Sequence, residues 1–311
     1  MSTTITEAHV RQFNAMLILV HQQTQALIAP RLDPVNVHRG VVGALDDFDL
    51  IGSFLAHDIT DRHGDTVPLN PEHSRRWARP YPTDATVYLD REDKVRSLIN
   101  PQSAYNRIIA ASLRRSEDKR LITAMLGTAL TGETATGTQV LPTSQLVAIG
   151  SSPNDVMTLA KIKSASANLD AGGFDDAPGK RIMLYSPGQK SAILAITQAA
   201  SSDFTARRIY DSGNINGQEW MGFTWIMVPD VKNQGASGIS TLERMLPLTS
   251  TTRTCVAFAT DSVGLSINQE LNSFLDILPG KQHLWQARAV IDMGAVRILD
   301  GGVVSIAALE E

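Results

Sequence analysis

Residues 86–90, Thr-Val-Tyr-Leu-Asp, alternate inward and outward side chains, as a strand with one buried face does. Asn100 then stands where a helix N-cap belongs, and Pro101 takes the first helical position, where a missing N–H is harmless. The pattern predicts a helix of roughly 26 residues, about 40 Å long at 1.5 Å rise per residue, closed by a Gly- and Thr-rich break up to Gly132. Its apolar stripe changes direction. Tyr105, Ile108 and Ile109 share one face, whereas Leu121, Ile122, Met125 and Leu126 cluster roughly half a turn away, so the two halves are expected to pack against different neighbours. Between them Arg114, Arg115, Glu117, Asp118, Lys119 and Arg120 put charge on every side, which predicts a turn that is not deeply buried in its own domain. Arg114 with Asp118, and Glu117 with Arg120, lie at helical pairing distance. The turn therefore reads either as solvated and self-paired or as a place where the helix meets another copy of the chain.

Upstream, residues 7–29 carry Phe13, Met16, Leu17, Val20, Thr24 and Leu27 at helical spacing until Pro30 stops them. Residues 31–81 show little periodicity and much Pro, Asp, His and Arg, a stretch too long for a plain connection inside a compact domain. The patches Phe48-Asp49-Leu50-Ile51 and Val67-Pro68-Leu69 are too apolar for simple disorder and predict an extended hairpin packed on a neighbour. Glycines at 132–137 and 150 punctuate a change of domain. Beyond it come a helix over 155–171 ended by Gly172 and Gly173, a strand over 181–185, a helix starting at Pro187 that carries Ile193, Leu194 and Ile196, and strand-like runs at 220–228 and 252–260. In the tail, Trp285, Ala287, Ala289 and Ile291 alternate with Gln286, Arg288 and Asp292, and Asp300-Gly301 predicts a tight hairpin turn into a strand from Val303. The chain reads as α+β, with no internal repeat.

Composition narrows the function. A chain of 311 residues supports one large domain or two. With 28 basic and 32 acidic residues it offers no polycationic footprint, and aromatics at 5% leave no base-stacking platform. The single cysteine, Cys255, sits in an apolar run and reads as a buried small hydrophobe. No stretch reaches 18 apolar residues, and the run at 15–20 has no basic flank of a signal peptide, so a reducing cytoplasm and no membrane are expected. Lysine is absent before Lys94, while arginine occurs at 11, 31, 39, 62, 75, 76, 79 and 91, which suits bidentate carboxylate pairing at interfaces.

The most enzyme-like cluster runs from His57 to Asp65. His57, Asp58, His63 and Asp65 are ligand types for a divalent metal in a hydrolase, but their spacing matches neither a helical pair nor a calcium loop, and Arg62 intrudes. Residues 187–191, Pro-Gly-Gln-Lys-Ser, imitate the end of a phosphate loop without its earlier glycine. No nucleophile elbow or dinucleotide fingerprint occurs. Asp203 and Asp211 read as loop carboxylates, and His9, His21, His38, His73 and His283 stand apart as structural residues. No catalytic residue and no cofactor is expected.

Taken in order, Gly64-Asp65-Thr66, His73, Arg75-Arg76, Tyr81, Asp90, Asp93, Pro101, Tyr105, Asp118, Gly127, Thr131-Gly132 and the strand around Gly294-Ala295-Val296-Arg297-Ile298 resemble the major capsid proteins of tailed bacteriophages, whose shared fold is the Hong Kong 97 type. The resemblance implies an N-terminal arm (1–40), an extended loop over an adjacent subunit (41–91), a peripheral domain with a long spine helix (92–135 and 265–311), and an axial domain (136–264). It implies a structural, non-enzymatic protein that self-assembles as hexamers and pentamers into the icosahedral shell of a virion, built in the host bacterial cytoplasm. Packaged double-stranded DNA would lie nearby without specific contact, consistent with a net charge of -4. A connector or decoration protein is the alternative within the phage class. Candidate intersubunit contacts are Arg62, Arg75, Arg76, Arg79, Arg114, Glu117 and Asp118. Some relatives cross-link a loop lysine to a neighbour's asparagine, but residues 41–91 here contain no lysine, so contacts are expected to be non-covalent. The chain begins close to its first arm helix, which favours a separate scaffolding protein, beside a portal and room for a cement protein.

Overall fold

The computed structural model describes residues 23, 25–58, 64, 65, 68–89, 102–150, 155–175, 177–196, 215–235 and 238–310. In chain order the strands and helices are β1 (Val37–Arg39), β2 (Asp46–Ile51), β3 (His73–Ala78), β4 (Tyr81–Leu89), α1 (Gln102–Leu126), β5 (Ala129–Thr131), β6 (Gly137–Gln139), β7 (Leu146–Val147), α2 (Leu159–Ala171) and β8 (Arg181–Tyr185). They continue with α3 (Pro187–Leu194), β9 (Glu219–Trp220), β10 (Phe223–Met227), β11 (Val231–Gly235), β12 (Gly238–Glu243), β13 (Leu248–Thr249), β14 (Thr252–Ala259), β15 (Val263–Leu278), β16 (Leu284–Arg297) and β17 (Val303–Leu309). Most of the predicted arm helix, 7–29, lies outside the described residues, as do Asp203, Asp211, His9 and His21; its last residues, 25–28, are bends leading to a 3-10 turn at Ala29–Arg31.

Two sheets organise the core. The first has the order β1-β15-β16-β4, with β15 and β16 antiparallel from Val263 opposite Arg297 to Leu278 opposite Leu284. The tail alternation predicted this face: Ala287, Ala289, Ile291 and Met293 are buried. Partner strand β15 was not anticipated, because its second half runs exposed and gives no one-sided pattern. The second sheet has the order β7-β17-β14-β8-β10-β9 and is packed on both faces. Ile182 and Leu184 of β8 point into the core shared with α1, whereas Met183 and Tyr185 meet α2 and α3 on the other side, the period-two consequence of a strand covered twice.

Two sequence expectations are corrected here. Asp300-Gly301 does not turn a hairpin: a 3-10 turn at Asp300–Gly302 carries the chain from β16 in the first sheet to β17, which pairs with β14 and β7 in the second. The halves of α1 do not serve separate neighbours either. Ile109, Leu113, Leu121, Ile122 and Met125 all enter one core, together with Ile28 and Leu32 upstream, Met245 and Leu246, and the inner faces of β15 and β16. The stripe changes direction because one helix is covered from several sides by its own chain. A short sheet, β2-β3-β5-β6, packs Phe48 and Ala78 against Ala129, Val296 and Ile298. The base of the extended hairpin thus rests on its own subunit, with Phe48 stacked on His38 at 4.3 Å.

Candidate intersubunit surface

Arg115, Glu117, Asp118 and Arg120 of the charged turn of α1 are buried, contrary to the expectation that its charges would keep it in solvent, while Arg114 and Lys119 stay accessible. Asp118 is fully enclosed and accepts backbone N–H bonds from Leu27 (2.9 Å) and Ile28 (3.0 Å) as well as the Gln23 amide. Burial pushes its carboxyl up to about 6, and those same donors pull the other way. Arg115 donates to the Gln23 carbonyl at 3.1 Å, so residues 23–28 are tied to the helix through two adjacent turns of side chains. Arg120 donates to the carbonyls of Tyr81 and Met293 and to Thr83, with its guanidinium 3.4 Å from the centre of the Tyr81 ring. Burial holds its pKa below the ordinary arginine value. Lys119 pairs with Glu243 at the end of β12. Arg114 meets Glu117 at 3.0 Å, one turn along, rather than Asp118. Charge on every side is tolerated because every side finds a partner inside the chain.

The loop arginines divide by strand parity. Arg75 faces Asp49 across the β2–β3 ladder (2.5 and 3.0 Å), lies 5.4 Å from the Trp77 ring, and holds the Asp49 carboxyl below its usual range chiefly through that hydrogen bond. Arg76 points inward to Asp300 at 2.6 Å. Asp300 also binds Arg297 at 2.6 Å, whose other nitrogens cap α1 through the carbonyls of Met125 and Gly127 at 2.9 and 2.7 Å and reach Gln139 at 3.0 Å. A helix end leaves carbonyls without partners, and a fully buried guanidinium satisfies them here. Arg79 is exposed and makes no ion pair among the described residues, and Arg62 lies outside them.

Sequence reasoning flagged Ile51 but passed over Phe54 and Leu55. Ile51 at the end of β2 is 70% exposed, and Phe54 and Leu55 on the loop that follows are 59% and 89% exposed. The legible signal was an apolar pair between Ser53 and Ala56 with no alternation to place it on a covered face. Of the metal candidates, His57, Asp58 and Asp65 are exposed and His63 lies outside the described residues; among those described, no three His, Cys, Asp or Glu side chains converge. Cys255 is buried, and burial pushes its thiol up to about 12. No helix among the described residues is long and apolar enough to cross a membrane.

A protein-family model described as phage capsid protein matches residues 5–310. Among solved structures, the capsid of cyanophage P-SCSP1u superposes with a TM-score of 0.70 at 13% identity, covering 96% of this chain and 92% of that one. The capsid of Ralstonia phage GP4 gives 0.67 at 11% identity over 96% and 94%, and a structure of Mycobacterium phage Che8 gives 0.66 at 13% over 94% of each chain. No curated protein matches.

Proposed function

The chain belongs to the phage capsid protein family and is a major capsid protein of the Hong Kong 97 fold, and from that premise we propose that its copies join by non-covalent loop and arm contacts into the hexamers and pentamers of an icosahedral shell. The observation that carries the mode of contact is the exposure of Ile51 at the end of β2 and of Phe54 and Leu55 on the loop that follows, which find no cover among the described residues. Association must offset a large loss of translational and rotational freedom, which many modest patches do collectively where one small patch does not.

In this reading the arm spans 1–40, the loop 41–91, and the peripheral domain is built on α1 with β15 and β16. The axial domain is the second sheet with α2 and α3, and β17 joins it. Arg62, Arg75 and Arg79 act between subunits, and Arg114 lies where a neighbour can reach the helix, held there by the buried Glu117. Arg76 and Asp118 support those surfaces from inside. A separate scaffolding protein and a portal complete assembly in the host cytoplasm, packaged DNA is held without specific contact, and the protein is structural rather than enzymatic. Electron microscopy of the chain expressed with and without its neighbouring genes tests this: closed shells are expected, whereas rings, decorated foreign shells or only dispersed subunits would overturn it.

A further inference from the structure

The phosphate-loop look-alike at 187–191 does meet an anion, and the anion belongs to the chain itself. Glu310 follows β17, and its backbone N–H donates to the Thr251 carbonyl at 2.8 Å, which brings its side chain to the start of α3. There Ser186, fully buried, donates its hydroxyl to one carboxylate oxygen at 2.9 Å, and Arg253, 2% exposed, donates its Nε to the other. The first oxygen lies directly against Gly188, where a Cβ would occupy the same space. The remaining guanidinium nitrogens of Arg253 are already engaged: both bind the Asp230 carboxylate, at 3.2 and 2.9 Å, and one also donates to the Leu246 carbonyl. The cradle therefore offers two donors to two oxygens, which is what a carboxylate needs. A phosphate would bring further oxygens without donors and a second charge facing Asp230. Gly188 is exposed, so the cradle borders solvent.

We propose that Ser186, Gly188 and Arg253 form a binding site selective for a carboxylate, which Glu310 of the same chain fills, and that this recognition, not packing of the Glu310 stem, fastens the end of β17 to α3 and β14. The likeness to a phosphate loop thus marks a real anion site of a different class. With the Glu310 carboxylate removed, the buried Ser186 hydroxyl and Arg253 Nε lose their acceptor. The site then takes a small carboxylate such as acetate from solution.

The test uses thermal melts of the purified 311-residue chain. Glu310→Ala should melt several degrees below wild type in sodium chloride. Sodium acetate at equal ionic strength should recover at least half of that loss, with a saturating dose response that wild type lacks, and sodium phosphate should do no more than chloride. Ser186→Ala in the same chain should remove the acetate response. Gly188→Ala gives an independent reading, because alanine ordinarily strengthens a helix. Here it should lower the melting temperature, since its methyl takes the place of the carboxylate oxygen. Glu310→Ala melting with wild type in chloride would overturn the proposal, as would a loss that acetate does not recover, which makes Glu310 a packing post. Recovery by phosphate in place of acetate would overturn the assigned class. If Glu310→Ala does not fold, Glu310→Gln, which keeps the shape without the charge, replaces it: a fall of several degrees supports the cradle, and a melt equal to wild type overturns it.

Discussion

Asp118 shows how one side chain can be both a fold determinant and a pH-dependent load. Its carboxyl titrates at about 6 in the fold against an ordinary 3.8, chiefly because it is buried. The folded state therefore holds the proton more tightly than the unfolded chain, so this group's contribution is fully present below about pH 4 and is lost as pH rises through about 6. At about 1.4 kcal/mol per unit, the span is up to about 3 kcal/mol. Asp118→Asn keeps an acceptor for the Leu27 and Ile28 amides and removes the titration. Urea melts at pH 4 and pH 7 should show wild type losing ground to the variant by up to that amount, and parallel pH profiles would contradict the account. Arg79 gives the complementary case. It is exposed and has no ion pair among the described residues, so Arg79→Glu should leave the subunit's melting temperature unchanged, since an exposed charge contributes roughly 0–1 kcal/mol to stability. Particle yield on a sucrose gradient should nevertheless fall. Reversal of Arg76 is a poorer probe of contacts between copies, because Asp300 already holds it and the subunit itself would be destabilised.

Among the elements, the C-terminal half of α1 is tied to its surroundings by two arginines, one from β16 and one on the helix itself. Arg297 reaches from the end of β16 to carbonyls at the C-terminus of α1, and Asp300 joins that cap to Arg76 on β3. Arg120 reaches from the helix to the carbonyls of Tyr81 and Met293, clasping β4 and β16 together. Loop base, helix end and sheet thus share one buried polar network. Arg297→Met should cost about 3–5 kcal/mol, because it removes one of the two partners of the Asp300 carboxylate and leaves the carbonyls of Met125, Gly127 and Gln139 without their donor. Adding Asp300→Asn should cost less than the sum of the two single changes, a coupling that chemical denaturation can read. Gly294 marks the same close packing: a Cβ there would lie 2.6 Å from the Pro80 nitrogen, so β16 can pass the turn before β4 only without a side chain.

For the whole molecule, the loop composition decides what kind of shell can form. Residues 41–91 contain no lysine, so the lysine–asparagine bond seen in some relatives has no donor there. Mature particles boiled in detergent and reductant are expected to run as a single monomer band, and a heat-stable ladder would refute this. Stability of the assembled shell must then come from packing and ion pairs, and its electrostatic share should weaken as salt rises.

Local pattern carried much of the architecture. The strand at 86–90, the long helix from Pro101, the strand at 181–185, the helix at Pro187 and the alternation from Trp285 all follow from period and capping, which depend only on neighbours along the chain. The order of those pieces, with residues such as Gly64, Tyr81, Asp118, Gly127 and Gly294, carried the resemblance to the capsid fold. Three things were decided by tertiary structure alone. Whether the charged turn of α1 was wet or buried depended on donors 90 and 91 residues away, at Ile28 and Leu27. Whether Asp300-Gly301 made a hairpin depended on which sheet had an open edge for β17. Whether Arg75 and Arg76 faced solvent or core depended on strand register, where one step exchanges the two faces. Periodicity says that a side chain has a face; only the folded chain says what stands opposite it.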